Sequence, residues 1–185
     1  MNLEYFQMVD RVEAFDPARR TIRCLAQVPE RSTVFEGHFP GYPVMPGTLL
    51  VEAVAQAGGF LLMALDGYSR MPVLTQVVKA RIRDVVEPGA LLTIEAEVQQ
   101  VSSGLSAVDG RISVAGPESP TRAAECEIRY RTVPFPAPGL RDLVIARARE
   151  IGAPVTGTPM TGTPMTGTPM TGTPVTGAGP GGAQR

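Results

Sequence analysis

The sequence predicts an α+β domain, and three observations carry that reading. One long segment, about Pro46 to Leu65, is apolar on nearly all sides. Several shorter segments alternate apolar and polar residues with a period of two. Gly- and Pro-rich turns separate them. An all-round apolar helix belongs inside other structure, and period-two segments make strands with one covered face. One central helix followed by a strand meander is the simplest arrangement that buries both.

The elements follow in chain order. Ile22, Cys24, Ala26 and Val28 share one strand face. Pro46 suits a helix start, because proline lacks the N–H that the first turn leaves unpaired, and Asp66-Gly67 is a stop. Within the helix Ala53, Ala55, Ala57, Gly58 and Gly59 are small enough for strands to approach closely. Val78, Ala80 and Ile82 form one face of the next strand, with Lys79, Arg81 and Arg83 opposite. Leu92, Ile94, Ala96 and Val98 alternate with Thr93, Glu95 and Glu97; Ala124, Cys126, Ile128 and Tyr130 alternate with Glu125, Glu127, Arg129 and Arg131. Turns are expected at Glu87-Pro88-Gly89, at Ser102-Ser103-Gly104 and between Gly116 and Pro120. A short helix from Leu140 to Ile151 would present Leu140, Leu143, Val144 and Ile151 as its apolar face.

Composition changes near Ala153. From Pro154 a unit of Pro, Met or Val, Thr, Gly and Thr recurs every five residues to about Thr176. Regular prolines forbid a helix, and no unit carries enough apolar surface to offset the entropy of ordering. The expected organisation is therefore a main domain over 1–138, a C-terminal helix over 139–152 and a disordered tail over 153–185.

Net charge is −1 across 185 residues, which gives no reason to expect nucleic acid as a partner. The run from Val51 to Leu65 is short for a bilayer span and carries Glu52 and Gln56, so membrane insertion is not expected. The first residues lack a basic region followed by an apolar stretch, so no secretory signal is expected either. Cys24 and Cys126 fall on the apolar phase of strands and read as core residues in a reducing cytoplasm. One histidine and two separated cysteines make a poor metal inventory, and no metal is assigned. No phosphate-cradling glycine motif is present, so no nucleotide cofactor is expected.

The chemistry concentrates in one segment. His38 is the only histidine, and it opens a loop in which Pro40, Pro43 and Pro46 and Gly37, Gly41 and Gly47 dictate the backbone path. Imidazole exchanges protons near neutrality. Glu52 is the only charged residue between Glu36 and Asp66. With Thr48 and Gln56, each four residues away, it forms one polar line on the apolar helix. Burial disfavours the charged form of a carboxyl, which suits Glu52 to hold and deliver a proton. The loop ends at a helix N-terminus, where free N–H groups favour a developing anion, and the Gly47 N–H is the natural donor. A base, an acid and an oxyanion site thus lie within fifteen residues, from His38 to Glu52. The ordinary alternatives are a loop histidine bonded to a carbonyl and a hydrated glutamate at a helix edge.

His38-Phe39-Pro40-Gly41-Tyr42-Pro43-Val44-Met45-Pro46-Gly47, followed by Glu52-Ala53-Val54-Ala55-Gln56, closely resembles the active-site motif of the beta-hydroxyacyl-acyl-carrier-protein dehydratases of type II fatty-acid synthesis. Tyr5 to Val12 looks like that family's lead-in, and Val85-Val86-Glu87-Pro88-Gly89 is similar to its strand-turn signature. The resemblance spans about residues 4 to 132. It implies a hot-dog fold, a curved antiparallel sheet around one long helix. It implies a homodimer, or a higher oligomer of dimers, in which His38 of one subunit faces Glu52 of the other. It implies roles as well: His38 takes the C2 proton of a 3-hydroxyacyl thioester and Glu52 protonates the departing hydroxyl. The Gly47 N–H would bind the thioester oxygen, the Val44 carbonyl would orient the imidazole, and Gln56 would hold Glu52 or a water. Glu at position 52 favours the branch that dehydrates without moving the double bond; that branch needs no cofactor. The partner is acyl carrier protein, which is acidic, and Lys79, Arg81 and Arg83 form a candidate docking ridge. Two alternatives stand beside the dehydratase: a hot-dog acyl thioesterase, against which the proline-rich histidine loop argues, and a non-catalytic acyl-binding hot-dog protein, which would have lost His38 or Glu52.

Overall fold

The computed structural model describes residues 1–116 and 119–155. Its elements are β1 (Arg11–Asp16), β2 (Thr21–Gln27), α1 (Thr33–Gly37), α2 (Gly47–Leu65), β3 (Met71–Ile82), β4 (Leu91–Ser102), β5 (Leu105–Val114), β6 (Thr121–Val133) and α3 (Leu140–Glu150). The six strands make one antiparallel sheet in the order β1-β2-β4-β5-β6-β3. It packs α2 against β2, β3, β4, β5 and β6. This is the hot-dog arrangement. The repeat and most of the expected tail, residues 156–185, lie outside the described residues, as do 117 and 118 of the expected 116–120 turn.

The boundaries of α2 follow the local chemistry. Pro46 is its N-cap, and its carbonyl accepts from the N–H groups of Leu49 and Leu50. At the other end Gly67 and Tyr68 both adopt positive φ, and the Tyr68 N–H closes on the Met63 carbonyl at 2.8 Å. At 19 residues α2 matches the expected Pro46–Leu65 helix to within one residue, and by length and composition it could cross a bilayer. The sheet covers it instead. A Cβ at Gly110 would lie 2.2 Å from a Val54 methyl, and one at Gly58 would lie 2.7 Å from the Tyr130 hydroxyl. Such close approach requires the small residues of the helix face and the bare backbone of Gly110 on β5.

The inward residues of β2, β4 and β6 are buried as their alternation implies. Cys24 and Cys126 are free buried thiols, and desolvation pushes them up to about 12 and about 11 respectively. Two elements differ from expectation. The helix α3 buries Ile145 and Ala148, with Ile151 following, while Leu143 is 69% exposed. Its orientation is set by polar ties rather than by the Leu140-Leu143 stripe: Arg141 donates to the Tyr68 carbonyl and Arg147 to the Val9 carbonyl, both at 2.8 Å. Strand β3 bulges twice against β6, and every residue from Val73 onward is exposed. It is an edge strand, so its apolar face overhangs the core rather than entering it.

Candidate active site

His38 is the C-cap of α1, whose start is capped by the Ser32 hydroxyl accepting from the Val34 N–H. The loop that follows closes on itself. Phe39 and Tyr42 exchange backbone hydrogen bonds at 3.1 and 2.9 Å, with Gly41 at φ +81°, and the Val44 N–H donates to the His38 carbonyl at 3.0 Å. The His38–Phe39 peptide is cis. The imidazole Nδ1 sits 3.1 Å from the Val44 carbonyl. A carbonyl can only accept, so Nδ1 carries the hydrogen and Nε2 is left as the basic nitrogen. The ring also stacks on Phe39, centroids 4.3 Å apart. The contact proposed from resemblance between His38 and Val44 is thus present, and it fixes both ring orientation and tautomer.

Glu52 lies one turn into α2 and is half-buried, with Thr48 exposed and Gln56 half-buried along the same line. Its Oε1 accepts from the Gln56 amide at 2.9 Å. Gln56 is held in turn by backbone: its Oε1 accepts from the Met8 N–H at 3.0 Å, and its Nε2 donates to the Phe6 carbonyl at 2.6 Å. Tyr130 comes up from β6 and donates to the Ala55 carbonyl at 2.9 Å. Burial first, and the Glu52 charge second, raise that phenol above its ordinary range. Phe6, Met8 and Tyr130 are the members of this site that sequence reasoning passed over. Tyr130 was readable as an inward strand residue whose hydroxyl needs a partner; two of the others act through their backbones.

Gly47 begins α2, so its N–H belongs to the turn that has no intrahelical acceptor. A Cβ there would lie 2.9 Å from Ile82 Cγ1, which gives a steric reason for glycine at that position. Among the described residues no hydrogen bond or ion pair joins His38 to Glu52.

The ridge of Lys79, Arg81 and Arg83 is partly neutralised. Glu125 on β6 lies 2.8 Å from Arg83 and 3.8 Å from Arg81, and the hydrogen bond from Arg83 holds its carboxyl below the usual range. Lys79 stands opposite Glu127 in the ladder. A depression away from His38 lies on the outer sheet face among Arg23, Glu95 and Arg111. There Glu95 bridges Arg23 at 2.9 Å and Arg111 at 2.7 Å, and we assign the depression no chemistry.

Comparison with known proteins adds independent weight. The FabA-like domain matches residues 1–118. A 3-hydroxyacyl-[acyl-carrier-protein] dehydratase FabZ of Clostridium acetobutylicum is 37% identical over 127 residues, 68% of this chain and 86% of that protein. The protein of the same name from Syntrophotalea carbinolica is 36% identical over 126 residues, 67% of this chain and 82% of its own. Among solved structures, the dehydratase heterocomplex ApeI:P from Xenorhabdus doucetiae aligns with TM-score 0.50 at 16% identity, covering 65% of this chain and 96% of that one. A hypothetical thioesterase with coenzyme A from Streptococcus pneumoniae aligns with TM-score 0.53 at 12% identity, covering 69% and 88%. At those identities the solved structures speak for the fold alone. The sequence matches cover the segment that carries the histidine loop and the Glu52 helix, and on them the chain belongs to the FabA-like family.

Proposed function

We propose that this chain reversibly removes water from 3-hydroxyacyl thioesters carried on acyl carrier protein, giving trans-2-enoyl thioesters in fatty-acid or related lipid synthesis. The observation that carries this reading is the match to dehydratases over more than four-fifths of their length, with the histidine loop and its carbonyl lock intact. His38 Nε2 takes the C2 proton. The electron pair of that bond forms the C2–C3 double bond, and the C3–O bond breaks. Glu52 gives its proton to the departing hydroxyl, which leaves as water. The Gly47 N–H donates a hydrogen bond to the thioester oxygen and stabilises the negative charge that develops on it. Gln56 holds Glu52 in place. Reversal of the proton positions gives hydration.

The active unit in this proposal is a cytoplasmic homodimer with His38 of one subunit facing Glu52 of the other. The absence of a hydrogen bond or ion pair between His38 and Glu52 among the described residues supports it, and so does the apolar exposed edge of β3. The acidic carrier protein docks at the basic end of β3, where Arg81 and Arg83 outnumber their shared Glu125.

Turnover of 3-hydroxyacyl-carrier-protein substrates of graded chain length, followed by mass spectrometry, tests the reaction and ranks the chain lengths. His38→Ala and Glu52→Ala should each lower dehydration by about 10²–10⁴-fold while the fold persists, the scale of a lost general acid or base. Mixed chains of the two variants should regain about one working site per heterodimer, as two-fold symmetry requires. Heterodimers that form and stay inactive would reject the shared site.

A further inference from the structure

We infer that the turn preceding β1, residues Asn2 to Met8, is a positioning element for Glu52 that works through the amide of Gln56. The inference rests on the dehydratase reading above and adds to it the origin of the carboxyl's orientation.

A side-chain amide has two faces of opposite polarity, and its orientation is decided by what surrounds it. Here both neighbours are backbone groups that cannot change role. The Met8 N–H can only donate, so the atom facing it at 3.0 Å is Oε1. The Phe6 carbonyl can only accept, so the atom facing it at 2.6 Å is Nε2. The second hydrogen of Nε2 is then committed to Glu52 Oε1 at 2.9 Å. That oxygen is an acceptor in every step. The proton that Glu52 gives to the departing hydroxyl therefore resides on Oε2, and the carboxyl cannot rotate to exchange the two oxygens without breaking the chain of bonds.

The turn is built for this task at a conformational cost. Phe6 has φ +53°, a region that side-chain-bearing residues enter rarely. The Phe6 N–H bonds the Leu3 carbonyl, and Asn2 and Gln7 pair across the turn. Leu3 and Met8 anchor the turn in the core, while the Phe6 ring is exposed, so ring packing does not account for the strained backbone. The left-handed residue turns its carbonyl onto the Gln56 amide.

The test exploits that geometry. Phe6→Gly removes the ring and admits the left-handed conformation at no steric cost, so its loss of kcat should be clearly smaller than that of Phe6→Val. Phe6→Val disfavours that conformation and should lower kcat about tenfold, the scale of a misplaced catalytic group, with KM nearly unchanged. Combining Phe6→Val with Gln56→Ala should lower kcat no further than Gln56→Ala alone, because the turn acts only through that amide. Should Phe6→Val fail to fold, an amide-to-ester replacement at Met8 deletes the donor to Gln56, weakening only the neighbouring Gln7 carbonyl besides, and must show the same non-additivity. Effects that multiply, or a loss in Phe6→Gly equal to that in Phe6→Val, would overturn the positioning role. A parent chain without dehydration activity would instead strike at the proposed function, and the two failures are told apart by that single control.

Discussion

The two edges of the sheet are finished in opposite ways. At the β1 edge the chain covers itself: the Val12 N–H donates at 2.6 Å to the carbonyl of Ile151, the residue just past α3, a bulge interrupts the strand, and Arg11 and Glu13 put charge on it. These are the usual devices against unwanted strand pairing. At the other edge, the twelve-residue β3 leaves Val73, Leu74, Val77, Val78 and Ile82 between 38% and 47% exposed. No element of the described chain covers it. The difference teaches that one edge is sealed for stability and the other is kept available. In the proposed homodimer, a site shared between subunits would give a reason for keeping it so.

The largest expected effect comes from spoiling the open edge. Val73→Lys with Val77→Lys places two charges where a second copy would pair, and the chain should become monomeric by light scattering. Turnover should then fall by about 10²–10⁴-fold, as if an acid or base had been deleted. Full activity in a proven monomer would reverse the comparison and assign β3 a different purpose. Spoiling the sealed edge should behave differently. Ile151→Ala removes buried apolar volume beside β1 and should lower unfolding stability by about 2–4 kcal/mol, read from the urea midpoint, with dimerisation unchanged. A change in subunit state there would mean that α3 also serves the interface.

The smallest effect belongs to the charges on the open edge. Reversing Arg81 and Arg83 to Glu should raise KM for carrier-protein-bound substrate by about three- to tenfold and weaken its salt dependence, since each rim charge acts mainly on encounter. A small pantetheine thioester should be turned over as before. Because Glu125 already shields these arginines, an equal effect on both substrates would mean that the change acts through the fold around Glu125 instead of through docking.

Much of this was legible in the residues. Pro46 and Asp66-Gly67 punctuate α2 so strongly that its limits were readable to within one residue, and the line of Thr48, Glu52 and Gln56 needed only helical spacing. The histidine loop was legible because proline and glycine state backbone geometry directly. The exposure of β3 was not, since alternation reports which residues share a face and says nothing of whether anything lies against it. The face of α3 was read in part: Ile151 is buried and Val144 packs against the core, but Leu143 faces out and Ile145 and Ala148 are buried instead. Leu140, Leu143 and Val144 satisfy helical periodicity, but Arg141 and Arg147 choose the rotation by reaching carbonyls of Tyr68 and Val9, more than seventy residues away in the chain. The hold on Gln56 had no signature, because the groups that make it are the backbones of Phe6 and Met8.

The order in which the elements leave the ribosome gives α2 an awkward interval. The helix is complete at Leu65, but the last strand that covers it ends at Val133. At ~5–20 residues per second, those intervening residues take roughly 3–14 s to synthesise. Throughout that time an apolar segment long enough to cross a bilayer has only β1 and β2 completed ahead of it. Nascent chains ending between β3 and β5 are therefore the form in which this protein is most exposed to capture by chaperones or by a membrane, and Glu52, the proposed acid, is the one charge that marks the segment as belonging in water.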